Sequence, residues 1–303
     1  EYVGSFSMIE NESKKPFGIS AFWLKIIATV LMTLDHIALL FIDASGGVMP
    51  ASYYALRAIG KMAFPIFAFL AVEGVYHTSS IKKYLLRIGV VALLMDLFGY
   101  IVSFTTKITI ASNPLIGNAF SDIFLGVLTV YLLRKKNKYS LFAALPITYS
   151  ILSNYVIVVN YGTLFKTDWG TFSIVLFVVF FLCRELTDYY LKSKAIKDNL
   201  SEDTYLDLYG TKDRKIVESV GLFFVGLLFY LIYRLDYTST FIPNEYVPIG
   251  TYCVLAFVFI LLYNGERGFR SKAVQYAFYA YYPVHLIILG LISLSFGVLS
   301  LYI

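Results

Sequence analysis

Apolar residues along this chain come in long unbroken runs separated by short polar segments. Nine runs stand out, at 22–42, 54–76, 84–104, 116–133, 141–159, 171–186, 216–235, 246–263 and 273–299. A helix rises about 1.5 Å per residue, so about 20 apolar residues cross the roughly 30 Å hydrocarbon core of a bilayer. No run alternates apolar and polar residues with period two, which argues against a β-barrel. The pattern predicts an all-α, polytopic integral membrane bundle of about nine transmembrane helices. The sixth run is short for a span and the ninth is long. One transmembrane domain over 22–303 follows an N-terminal segment, 1–21, and the largest soluble piece is the loop 187–215.

Composition agrees with that reading. The chain is 58% hydrophobic and only 15% charged, with a mean hydropathy of +0.71, against about 25% charged in soluble domains. Of 25 Lys and Arg, all but Arg57, Lys61, Lys107, Lys166 and Arg234 fall on one side when the N-terminus is placed in the cytosol. That asymmetry predicts a multi-pass cell-membrane protein with a cytosolic N-terminus, an odd number of spans and an external C-terminus. The net charge of +5 lies in loops and does not point to nucleic acid. Cys183 and Cys253 sit in apolar runs and suggest no disulfide framework. EYVGSFS ahead of Met8 reads as a cloning remnant, and no cleavable signal peptide is visible. An internal repeat of the kind that marks many transporters is absent.

Polar residues inside the runs are the candidates for chemistry, because an ionisable group in a span is costly. The stretch 56–78, LRAIGKMAFPIFAFLAVEGVYHT, carries Arg57 and Lys61 four apart, Glu73 and His77 four apart, and Pro65 between them. Each pair shares a helix face, and Pro65 predicts a kink. Against this stands the plainer reading that Arg57 and His77 snorkel to opposite interfaces. Asp35 and His36 lie roughly 15 Å beyond Lys25 along a helix. Adjacent residues point about 100° apart, so His36 needs an orienting partner from elsewhere, for which Asp96 and His285 are candidates. Packed histidines bonded to carbonyls are the alternative for His36 and for His285, which follows Pro283. Asn118 and Asp122 lie at the outer part of the fourth run. Glu73 and His77 alone are too few ligands for a metal site, and no metal is expected. The basic corner Asn264-Gly265-Glu266-Arg267-Gly268, with Arg270 and Lys272, suits an anion, although positive-inside charge explains it equally well. Walker, dinucleotide and GxSxG signatures are absent.

Four blocks resemble the TraX family of membrane proteins, which is linked to N-terminal acetylation of conjugative pilin. They are LKIIATVLMTLDHI (24–37), the 56–78 stretch, KKYLLRIGVVALLMD (82–96), and YNGERG with FYAYYPVHLIIL (263–289). The FPIFAF core is also similar to a segment of transmembrane acyltransferases that use acetyl-CoA on glycans. The resemblance implies a cytosolic acetyl-CoA donor and an acceptor reached from the opposite face, an exported peptide, protein or glycan bearing an amine or hydroxyl. It points to Asp35, His36, Arg57, Glu73, His77, Arg267 and His285. On this basis His36 is the expected base, with His285 second, oriented by Asp35 or Asp96, and Arg57 steadies developing charge. Arg267, Arg270 and Lys272, with Glu73, His77 and Lys61, are expected on the acetyl-CoA side. The same buried charges also suit a transporter or a subunit of an export complex.

Overall fold

The second apolar run folds as two helices, α2 (Ala51–Gly60) and α3 (Ala63–His77), joined by a turn at Lys61 and Met62. Pro65 therefore does not kink a continuous helix, as the pattern suggested. It sits in the first turn of α3, where its missing N–H costs nothing. Its ring would clash with a helical carbonyl four residues back, at Lys61, and the helix breaks there. Lys61 N–H closes onto the Arg57 carbonyl at 3.0 Å and Met62 N–H onto that of Ile59 at 3.3 Å.

This architecture comes from a computed structural model that describes residues 17–42, 50–106, 117–155, 165–235 and 250–296. The predicted segment 1–16, the run ends at 156–159, 246–249 and 297–299, Lys107 and the C-terminus lie outside the described residues. The remaining helices are α1 (Ala21–Ile37), α4 (Ile81–Thr106), α5 (Ala119–Leu133), α6 (Ala144–Tyr155), α7 (Gly170–Lys197), α8 (Glu202–Leu235), α9 (Phe257–Leu261) and α10 (Lys272–Ser295). A π-helical turn, Ala38–Ile42, prolongs α1, and 3₁₀ turns lead into α6 and α9. Among the described residues the α-helices form nine units, α2 with α3 counting as one. Six helices, or pairs of joined helices, are long and apolar enough to cross a membrane. The protein is an all-α polytopic membrane protein.

Helix α3 forms the axis. Phe64, Ile66, Ala68, Phe69, Leu70, Ala71, Val72 and Val75 are all buried, as expected of a helix that is apolar on every side. Leu24 of α1, Phe177 and Phe180 of α7, Leu222 of α8 and Ile260 of α9 pack into the same core. Outward faces are apolar too, with Leu86, Leu94 and Ile101 on α4 and Phe223, Phe224 and Leu231 on α8 exposed, which suits lipid contact.

The run 171–186 and the loop 187–215 require correction. Helix α7 extends to Lys197 and α8 begins at Glu202, so the loop is a helical hairpin with its turn at 198–201. Its charges alternate with an apolar stripe, and Leu191, Ala195 and Tyr205 form a small core of their own. Lys192 pairs with Glu202 at 3.1 Å, and Arg214 pairs with Asp188.

Helix ends interlock at both faces of the bundle. At the basic face, the chain entering α1 lies against the 263–268 corner: Ala21 N–H bonds the Glu266 carbonyl at 2.8 Å and Phe22 N–H that of Arg267 at 3.1 Å. These carbonyls satisfy donors that α1 cannot satisfy itself. Gly268, at φ +69, permits this: a Cβ there would lie 2.4 Å from Ser20 Oγ. At the opposite face, Asp122 of α5 accepts from Asp168 N–H at 2.7 Å and Trp169 N–H at 3.1 Å, capping α7.

Candidate active site

Two polar clusters are buried in the bundle, one near mid-depth and one towards the basic face. The first is built on the contact between α1 and α10. His36 Nδ1 lies 2.6 Å from His285 Nε2, and the two rings stack 4.9 Å apart at 19°. His285 Nδ1 lies 2.8 Å from the Tyr281 carbonyl. A carbonyl only accepts, so His285 Nδ1 carries a proton, and neutral His285 accepts at Nε2. His36 Nδ1 must then donate, which leaves the lone pair on His36 Nε2. One carbonyl thus determines the tautomers of two rings.

Beside this pair, Asp35 accepts from Arg57 Nη1 at 2.7 Å and lies 3.5 Å from Lys61 Nζ. Gly60 permits the approach of α2 to α1, since a Cβ there would fall 2.3 Å from Asp35 Cβ. Asp35 Oδ1 and Arg57 Nε are buried without a hydrogen-bond partner. Lys61 Nζ stands 5.1 Å over the Trp169 ring, which stacks on Phe64 at 4.7 Å. Asp168 lies within electrostatic reach of Lys61, Asp35 and Arg57. Tyr282 packs edge-on against both histidines. The second apolar run thus delivers two cations to the histidine pair from the turn that Pro65 creates.

The second cluster surrounds Arg184 of α7, only 2% exposed. Its guanidinium pairs with Glu73 and lies 4.0 Å from Glu218 of α8. Both Glu218 carboxylate oxygens are buried without a hydrogen bond. Tyr76 holds Arg134 and Arg184 at 4.0 and 4.1 Å from its ring centroid. His77 Nε2 lies 3.1 Å from Glu73, and Arg267 Nη2 donates to the His77 carbonyl at 2.6 Å, capping α3. Arg270 and Lys272 are exposed on the same face.

The structure brings Asp35, His36, Arg57, Lys61 and His285 together, and separately joins Glu73, His77 and Arg267. It does not place Asp96 on His36. Asp96 accepts from Asn118 Nδ2 at 2.9 Å and from Phe165 N–H, because Asn118 opens α5 at that depth. Asp35 faces the cations of α2 instead of the imidazole beside it, so His36 takes its hydrogen bond from neither aspartate. Arg184 and Glu218 are not among the residues that the sequence singles out, although both lie near the ends of apolar runs, 171–186 and 216–235. The signal for Arg184 was its place directly after the apolar run FFLC.

Fold and clusters together define a polytopic membrane protein with a buried polar cluster where its first, second and last long helical segments meet. A family model described as TraX protein matches residues 20–196, and the chain belongs to the TraX family. It is 28% identical over 276 residues to "Probable fimbrial assembly protein FimC, serogroup H1" of Dichelobacter nodosus, covering 89% of this chain and 94% of that one. No solved structure matches it significantly.

Proposed function

We propose that this protein is a membrane acetyltransferase that moves an acetyl group from cytosolic acetyl-CoA to an amine or hydroxyl acceptor at the outer face. The observation that carries the reading is the histidine pair, which leaves a lone pair on His36 Nε2, with Arg57 within electrostatic reach of His36 and its Nε–H buried without a partner. A base and a charge-stabilising donor in one cluster are what acyl transfer requires.

His36 Nε2 takes the proton of the acceptor N–H or O–H as that atom attacks the acetyl carbon. Arg57 Nε–H, buried without a partner, donates to the carbonyl oxygen as negative charge develops there. As the carbon–sulfur bond breaks, His36 returns its proton to the departing thiolate, giving the free thiol. His285 keeps Nδ1 of His36 protonated throughout, so that only Nε2 exchanges protons. The nucleotide end of the donor carries several phosphates and belongs at the basic face, near Arg267, Arg270 and Lys272. The TraX membership and the relative named for fimbrial assembly favour an exported, pilus-related acceptor.

Purified protein in detergent, given radiolabelled acetyl-CoA and a peptide amine, is expected to release CoA and label the peptide. Absence of both, in protein that binds acetyl-CoA, would overturn the assignment.

A further inference from the structure

Tyr281 makes three separate contacts around the histidine pair, and together they give it a role that the reaction scheme leaves unassigned. Its carbonyl receives His285 Nδ1–H at 2.8 Å. Its ring stacks on His285, 4.9 Å away and 12° from parallel. Its hydroxyl lies 2.7 Å from Thr33 Oγ1 on α1. The direction of that last bond follows from its neighbour: Thr33 Oγ1 sits 2.8 Å from the Thr29 carbonyl and donates there, so Tyr281 must donate to Thr33. Thr33 and His36 are three apart on α1, and Tyr281 and His285 are four apart on α10. Both pairs therefore share a helix face, and the Thr33–Tyr281 and His36–His285 bonds form two rungs between the same helices. The tyrosine ring fills the space between the rungs and leaves His285 one orientation.

We propose that Tyr281 is a positioning residue: anchored on Thr33, its side chain holds the His285 ring so that His36 keeps its proton on Nδ1 and its lone pair on Nε2. The proposal rests on the acetyl-transfer reading for its purpose and on geometry alone for its content. Without the ring, only the backbone carbonyl at 281 still holds His285, and the imidazole can tilt about that bond so that its Nε2 leaves the line to His36 Nδ1. Once that bond is gone, nothing disfavours the Nε2–H tautomer of His36, in which the atom facing the acceptor has no lone pair. A histidine in the wrong tautomer is a poor base however well it is placed.

The chain has three histidines, so ring nitrogens can be read individually after ¹⁵N-histidine labelling in detergent. Wild-type protein at alkaline pH is expected to show His36 protonated at Nδ1 and bare at Nε2. Tyr281→Ala should move part of that proton to Nε2 and lower acetyl transfer at least about tenfold, with acetyl-CoA binding unchanged. Tyr281→Phe keeps the ring and loses the anchor, so it should fall between the two in both readouts. It also carries the test should the alanine variant fail to fold. A wild-type His36 protonated at Nε2, or variants with an unchanged His36 spectrum, would overturn the proposal. Expected spectra in wild-type protein that transfers no label would sustain the positioning role and remove the acetyl-transfer reading.

Discussion

His36 and Arg184 are both interior polar side chains, and they call for opposite experiments. His36 belongs to a hydrogen-bonded histidine pair, so His36→Gln keeps a hydrogen-bonding side chain of similar size while removing the base. Acetyl transfer is expected to drop by about 10²–10⁴, the usual worth of a general base, with the melting temperature in detergent nearly unchanged. Full activity in this variant would move the role to His285. Arg184 instead compensates charge. Removing it by Arg184→Ala leaves Glu73 and Glu218 facing each other inside the bundle, and loss of one member of a buried pair costs about 3–5 kcal/mol. A marked fall in melting temperature is the expected result, and Glu218→Gln in the same background should restore part of it. At this scale the sequence told which residues were expensive to bury, because cost is a property of the residue type. It did not tell which of them meet: Asp35 and His36 are neighbours in the chain, yet they turn to different partners on α2 and α10.

Helices meet here by close approach, and two contacts show what holds them. The α1–α2 contact beside Asp35 has room for a glycine alone at position 60. Gly60→Val should push α2 away, part Arg57 from Asp35, and abolish transfer without affecting the basic face; acetyl-CoA affinity equal to wild type would locate the damage at the Asp35–Arg57 contact. Asn118 caps α5 through Ser121 N–H at 3.1 Å and also donates to buried Asp96. Asn118→Ala removes a cap worth about 1 kcal/mol and leaves a buried acceptor unmet, adding about 1–3 kcal/mol; thermal denaturation in detergent checks the sum. Element existence was readable from the apolar runs because burial in lipid needs about 20 of them in a row. Element ends were not. Pro65 marked a break whose position depends on which carbonyl it strikes, and the amphipathic stretch 187–215 hid inside charges that pair only across a hairpin.

Across the whole molecule, the segments carrying Lys135, Lys136, Lys215, Arg267 and Arg270 meet the end of α3 and the 263–268 corner at one end of the bundle. The positive-inside asymmetry predicts that this end faces the cytosol. Cysteine introduced at Lys194→Cys in cells should resist an impermeant thiol reagent until the membrane is opened; ready labelling of intact cells would invert the topology. The succession of apolar helices was legible from the runs, whereas the meeting of the first, second and last of the long segments was not, since it depends on packing between residues 249 apart in the chain, as with His36 and His285.

The hairpin of α7 and α8 has a practical consequence. With 28 and 34 residues, its arms measure ~42 and ~51 Å, longer than the roughly 30 Å hydrocarbon core. A 34.3 kDa protein of this kind offers little mass outside its micelle for image alignment. The 198–201 turn lies at the tip of two helices that run unbroken from the membrane interior, are tied by Lys192–Glu202 and Arg214–Asp188, and share their own apolar core. A helical soluble domain spliced into that turn would inherit the direction of both arms and stand as a rigid fiducial.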